Sequence, residues 1–452
     1  MIDHAARTIA AIGDRLGIGA DLLHRMLSGT ALSGVASALT QVPLLILTWT
    51  VARASGESGL GDFAVMTGLA AALASFLQFG TGYGTTCLVA RHATDAPRLA
   101  AAHATLAAVI VGSLTIVGAG IFLAVRGPIV AGWMERPDLV PLALPTALLL
   151  AGLAVSFPLQ GVLIGLGAVR GWVLGSLVGG LALTGLAVVV LRGLPLPTVL
   201  VIYAAITWAQ VAVLAAAASR ALRSRCGGWT RPDAPSRREF LHFIAPLGLS
   251  GIFMQPIAWV VLAWLFRQEG GPAQVGLFNA AITLRAIALF IPSQANRIGS
   301  AIVAARAVRS DALRAGVRVN AFVAVGGFLL VALPLAAGAS WAMGVFGPGF
   351  ESGAGVLLVL LAAGALDVVA QSLFQRVQAA GRMWRSLLLI VIPREGTLLA
   401  AGALLGSTAL GLAWATFLSM AVGMVACAAV GRRAISPTAD GSRSPRSADE
   451  AP

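Results

Sequence analysis

Of the 452 residues, 58% are hydrophobic and 11% charged; the mean hydropathy is +0.89, and the formal net charge of +13 is carried without a single Lys. A soluble domain is about a quarter charged; this chain would expose large apolar patches in water, so its solvent is the bilayer. The arginines lie in short loops between apolar runs, which excludes a nucleic-acid surface and reads as a positive-inside signal.

Residues 1–28 mix charges throughout and hold no apolar core, so no cleavable signal peptide is expected. Ile9, Ile12, Leu16 and Leu23 recur at roughly helical spacing, consistent with a helix on the membrane surface or with an amphipathic lead-in to the first span. Twelve apolar runs follow, near 29–51, 62–83, 101–125, 141–164, 171–191, 197–219, 241–266, 276–299, 317–343, 353–375, 385–405 and 408–430. The spans predict an all-α integral membrane fold with an N-terminal six-helix lobe (29–222), a basic linker (223–239), a C-terminal six-helix lobe (240–433) and a polar, disordered tail (434–452). Alternate loops carry 23 and 5 arginines, and 3 more fall within or at the edge of spans. That imbalance predicts cytoplasmic termini.

The first span carries Ser33, Ser37, Thr40, Gln41 and Thr48 on one face, and the second carries Ser75, Gln78 and Thr85. Such stripes suit helix packing as readily as cavity lining. The eighth span places Arg285 near mid-depth, with Pro292 and Asn296 on the same face. An Arg at the bilayer centre costs about 2.5–3.5 kcal/mol on insertion scales, so it needs a partner or a wet cavity. Either an ion pair with Asp367 or Glu395, or a fixed cation awaiting an anionic ligand, would satisfy it. Asp367, Gln371, Gln375 and Gln378 form one polar stripe on the tenth span.

The eleventh span holds Pro393-Arg394-Glu395 near its middle. Pro393 predicts a kinked or broken helix. Adjacent helical residues diverge by about 100°, so Arg394 and Glu395 are expected to face different partners. Glu395 is expected to pair with Arg285 or another buried cation, and Arg394 to face water or substrate. Asp367 and Glu395 are the candidate sites for H⁺ or Na⁺ coupling. No metal or other cofactor is expected. The cysteines Cys87, Cys226 and Cys427 have no ligand spacing, and the five histidines form no HExxH-like set. No nucleophilic triad or Walker loop is present, so an enzyme is not expected.

The two halves repeat. "GDFAVMTGLAA" from Gly61 aligns with "GLFNAAITLRA" from Gly276 at an offset of 215, which also maps Phe63 onto Phe278, Gly84 onto Gly299 and Arg91 onto Arg306. An even number of spans per repeat makes the halves parallel, related by an axis along the membrane normal.

The passage from Leu32 to His92, with Gly61, Phe63, Gly84 and Arg91, resembles the opening of Wzx-type polysaccharide flippases of the MATE-like MOP exporter superfamily. "ALGLAWATFLSMAV" is similar to the start of that family's twelfth span. The resemblance implies two MATE-like lobes open alternately to either face, with a cleft lined by spans 1, 2, 7 and 8. The implied activity is translocation of a polyprenyl-diphosphate-linked oligosaccharide across the bacterial inner membrane, in company with other polysaccharide-assembly proteins. Arg285, Arg394, Gln41, Gln78, Asn296 and Gln371 are then the candidate cavity residues. Span 1 lacks the intramembrane Arg of the lipid-II flippase branch. A cation-coupled multidrug exporter of the same fold, a membrane glycan polymerase or ligase, and a scaffold within a cell-wall complex remain open alternatives.

Overall fold

The computed structural model describes residues 20–305, 310–379 and 383–435, with side chains described except at 20–33, 252, 297–305, 310–320, 375–379, 383 and 431–435. The expected surface segment up to residue 19 and the tail beyond 435 lie outside the described residues. Every regular element described is helical. In chain order the principal helices are α1 (Ala20–Gln78), α2 (Thr81–His92), α3 (Pro97–Arg126), α4 (Ala143–Gly165), α5 (Val169–Val190) and α6 (Leu196–Cys226). They continue as α7 (Ala234–Phe266), α8 (Gly271–Ala305), α9 (Ser310–Ala337), α10 (Ala354–Ala379), α11 (Ile392–Leu405) and α12 (Ala409–Ile435).

Among the described residues, ten helices are long and apolar enough to cross a membrane. Counting α1 as two arms and adding the apolar part of α9, Ala321–Ala337, recovers the twelve runs read from the sequence. The chain is thus an all-helical multi-pass membrane protein. Its lipid-facing surface includes exposed Ile116, Phe322, Leu330 and Leu404, which hydrocarbon solvates without cost.

Two backbone breaks differ from the sequence reading. The first two spans meet at a tight kink, where Gly56 takes φ 67 and ψ −167, a conformation suited to glycine, so α1 is two helices in series. Gly34, near the start of α1, faces Gln294 of α8, whereas Gly61 faces Pro272. Beyond Gly61 the second arm leaves α8 for α7, where Gly68 lies against Trp259 and Leu262, and Gly251 against Ser75. A second break falls inside the predicted second span, at Phe79 (φ 45) and Gly80 (φ 70). A Cβ on Gly80 would stand 2.6 Å from the Gly248 nitrogen, so the break lets α7 approach closely.

The repeat read from the sequence reappears as reciprocal packing. Added to Gly61, a Cβ would collide with the Pro272 carbonyl; added to Gly276, it would collide with the Glu57 carbonyl. Residues 57 and 272 are themselves 215 apart, so both contacts obey one pseudo-two-fold operation, as an isologous interface requires. Around this crossing Trp49 Nε1 and Arg53 Nε donate to the Val345 carbonyl at 2.8 and 2.9 Å, and Arg267 pairs with Glu135. These contacts close the predicted outer end between the two halves.

At the other end the linker is short: α6 continues to Cys226 and α7 begins at Ala234. Asp233 caps α7 by accepting from the Ser236 N–H at 2.9 Å, and that hydrogen bond holds its carboxyl below the ordinary range. The first turns of α7 pack on α2 and α3, where Phe240 and Ile244 are buried with Leu88, Leu106 and Ala107.

Candidate functional site in the C-terminal half

The six N-terminal spans hold no Asp, Glu or Arg between their ends, whereas the C-terminal spans carry Arg285, Asp367, Arg394 and Glu395. Arg285 is 9% exposed, and its Nη2 donates to Asp367 Oδ2 at 3.2 Å. Gly364, one turn before Asp367, leaves room for it. A Cβ there would lie 3.4 Å from Arg285 Nε and 3.0 Å from the Phe328 ring. Arg285 therefore points between α9 and α10 inside the C-terminal half. Of the two acidic partners expected for Arg285, the structure supplies Asp367, which α10 presents to α8, and Glu395 does not pair with it.

Glu395 is 2% exposed, and its carboxylate lies 3.4 Å from Arg394 Nε. The expectation that these neighbours face different partners is corrected: long side chains bend toward each other where burial leaves neither charge a better partner. Arg394 is anchored on α12. Its side chain lies against Gly423, where a Cβ would stand 3.1 Å from Cδ, and its carbonyl accepts from Ser419 Oγ at 2.9 Å. The two pairs, Arg285–Asp367 and Arg394–Glu395, make up the charged cluster of the C-terminal half.

Pro393 does not break the helix. It sits in the first turn of α11, where its missing N–H leaves no intrahelical bond unmade. The turn before it, Leu387–Val391, widens into a π-helix. A proline clashes with the carbonyl four residues earlier, and residue 389 lies inside that wide turn. The expected kink is thus absorbed as a π-turn, a form common at functional sites.

The remaining candidates divide. Asn296 Nδ2 donates to Gln371 Oε1 at 2.7 Å, joining α8 to α10. Gln41 is exposed on α1, on the face that Gly34 turns toward Gln294; Gln78 is half-exposed at the end of the helix. Neither contacts the charged cluster. Thr40 and Thr48 donate to the carbonyls of Ala36 and Leu44 in their own helix, as packed hydroxyls do. The side chains of Ser33, Arg297, Gln375 and Gln378 lie outside the described set. Gln294 escaped the sequence reading. Its Nε2 donates to Ser293 Oγ at 3.1 Å, while its Oε1 is buried without a partner at the α1–α8 contact. Only the position of α1 distinguishes it from an ordinary polar residue.

Two buried donor atoms of the cluster make no hydrogen bond: Arg285 Nε, and Arg394 Nε, whose 3.4 Å contact with Glu395 is an ion pair without hydrogen-bond geometry. A buried unpaired donor costs about 1–3 kcal/mol, more when charged. Two guanidiniums with spare N–H groups are suited to planar, anionic oxygens such as those of phosphate.

No family model matches the chain. A stretch of 191 residues, 41% of the chain, is 27% identical to the EPS I polysaccharide export inner membrane protein EpsE of Ralstonia nicotianae, and the match spans 43% of that protein. Among solved structures, the fold is similar to the inward-facing conformation of a multidrug resistance MATE family transporter of the MOP superfamily (TM-score 0.67, 16% identity, 89% of this chain and 96% of that one). It is similar also to an outward-facing conformation of such a transporter (TM-score 0.64, 17% identity, 90% and 94%). A third likeness is to a MOP superfamily transporter from Pyrococcus furiosus Vc1 with a binding pocket of reverse polarity (TM-score 0.67, 16% identity, 90% and 95%). The chain has the all-helical fold of MATE-like MOP transporters.

Proposed function

We propose that this chain is a transporter of the bacterial cytoplasmic membrane, with both termini cytoplasmic. It moves a polyprenyl-diphosphate-linked oligosaccharide outward by alternating access, for assembly of surface polysaccharide. The observation that carries this reading is the pair of intramembrane arginines in the C-terminal half, buried Arg285 and half-buried Arg394, whose Nε donors make no hydrogen bond. A diphosphate is the part of such a substrate that hydrocarbon will not accept, and Arg stays charged while offering bidentate donors to its oxygens. The likeness to a polysaccharide export protein supports the same substrate class.

The ion pair suggests how substrate and coupling ion exchange. When phosphate engages Arg285, Asp367 loses its partner and becomes free to take up H⁺ or Na⁺; Glu395, beside Arg394, is the second candidate. The Asn296–Gln371 pair and Gln41 offer hydrogen bonds to sugar hydroxyls, and the prenyl tail stays in lipid. Partners in polysaccharide assembly would supply the lipid-linked glycan on one face and consume it on the other.

The test is surface glycan export in cells carrying Arg285→Ala, Arg285→Lys or Arg394→Lys, with membrane protein levels measured alongside. Loss of export at normal levels is expected for Arg285→Ala, and partial export for the lysine variants. Full export by Arg285→Ala would overturn the role of Arg285. The second reading, a cation-coupled multidrug exporter, is favoured by the acidic Asp367 and Glu395 and by the multidrug transporters of similar fold. It predicts drug sensitivity, with glycan export unchanged, on deletion of the gene.

A further inference from the structure

Away from the charged cluster, at the predicted cytoplasmic end, three side chains from three helices converge. His92 closes α2, His103 lies on the second turn of α3, and Glu239 lies on the second turn of α7. His92 Nε2 is 3.2 Å from Glu239 Oε1, and His103 Nε2 is 3.6 Å from Glu239 Oε2. One donor atom from each residue falls within 4.8 Å of the others. The spacing of these residues in the sequence matches no ligand motif, which is why the sequence reading passed over them.

We infer that His92, His103 and Glu239 form a binding site for a divalent transition metal ion of the zinc type. Two imidazoles and a carboxylate are a recurrent three-ligand set, with water in the fourth position. At zinc–ligand distances of about 2.0–2.2 Å, donors in a tetrahedral set stand about 3.4 Å apart. The two carboxylate-to-imidazole separations, one to each Glu239 oxygen, bracket that figure.

His103 points independently to a ligand. It is fully buried, yet neither of its ring nitrogens has a hydrogen-bond partner. The Phe240 ring stacks on His103 at 5.8 Å and excludes water from its far side, while Glu239 opens onto a groove lined by Arg91, Arg238 and His242. Arg91 Nη1, 3.8 Å from Glu239 Oε1, would remain as an outer partner of the coordinated carboxylate.

Such an ion would pin the start of α7 to α2 and α3, at the point where the chain passes from its first repeat to its second. This inference is independent of the transported substrate.

The experiment uses the full chain purified in detergent with a histidine-free affinity tag, stripped with chelator and titrated with Zn²⁺ against a chromophoric competitor. Binding of one equivalent is expected, with a raised melting temperature and, for Co²⁺, the visible absorption of a four- or five-coordinate nitrogen–oxygen site. His92→Gln and Glu239→Gln should each weaken binding by more than about tenfold, since losing even an outer-shell partner costs 10- to 100-fold. Both residues reach the surface, so the test does not depend on the buried His103. Absence of a saturable equivalent overturns the inference. So does undiminished affinity in the His92→Gln/Glu239→Gln double variant, which would place the ion on other histidines such as His242. If Glu239→Gln lowers the melting temperature while the wild-type chain binds no metal, the trio is a structural hydrogen-bonded cluster and the inference fails.

Discussion

Arg285 and Asp367 hold each other in an interior where neither charge can stand alone. Removing one partner of a buried pair costs about 3–5 kcal/mol, because the survivor stays desolvated, whereas replacing both with apolar groups is often neutral. Arg285→Met and Asp367→Leu are therefore each expected to lower the yield and thermal stability of folded protein. The double variant should recover most of that loss while remaining unable to export; fluorescence-monitored melting in detergent, followed by an export assay, checks both. Glu395 differs, because its carboxylate meets Arg394 only at 3.4 Å. Glu395→Gln keeps the shape and removes the charge, so folding should persist. If Glu395 carries the coupling ion, transport in vesicles should lose its dependence on an imposed H⁺ or Na⁺ gradient. Retention of that dependence would remove Glu395 from the coupling step.

At the scale of elements, the π-turn before Pro393 sets the orientation of Arg394. A π-turn accommodates one extra residue, and each residue rotates an α-helix by about 100°. Pro393→Ala restores an N–H and lets Leu387–Val391 relax toward α-helix, which would rotate the helix on one side of the turn relative to the other. The expected outcome is a folded protein with reduced export, measured as surface glycan at normal protein level. The eleventh span, its proline and its charges were legible in the sequence. The wide turn was not, because a proline in a span is equally compatible with a kink, a break or a local change of helix type. The first two spans show the same limit. Their apolar runs were plain, but the kink at Gly56 and the break at Phe79–Gly80 depend on how closely α7 and α8 approach.

Across the whole molecule, the glycine crossing is the place where the two repeats meet. A side chain at Gly61 or Gly276 would strike backbone carbonyls of the other half, which cannot yield as a flexible side chain does. Gly61→Val and Gly276→Val are each expected to prevent closure of this end and to abolish export with little loss of membrane insertion. Thiol labelling of cysteines placed nearby, from outside the cell, should rise in both. The predicted orientation has its own check. A green fluorescent protein fused after Arg433 should fluoresce, and alkaline phosphatase inserted near Gly193 should be active. The opposite pattern would invert the arginine-based topology.

By itself, the sequence determined the solvent, the number of apolar runs, the residues that must be accounted for in hydrocarbon, and the duplication that makes Gly61 and Gly276 equivalent. Hydropathy, charge and repeat spacing are properties of the chain read along its length, so they needed no coordinates. Tertiary structure alone decided that Arg285 meets Asp367 rather than Glu395, that Arg394 turns to its own neighbour, and that His92, His103 and Glu239 converge from three helices. Partner choice depends on the rotation and separation of helices packed side by side. Those are fixed where side chains lie against the bare backbone of glycines such as Gly248, Gly364 and Gly423, whose meaning lies in what faces them.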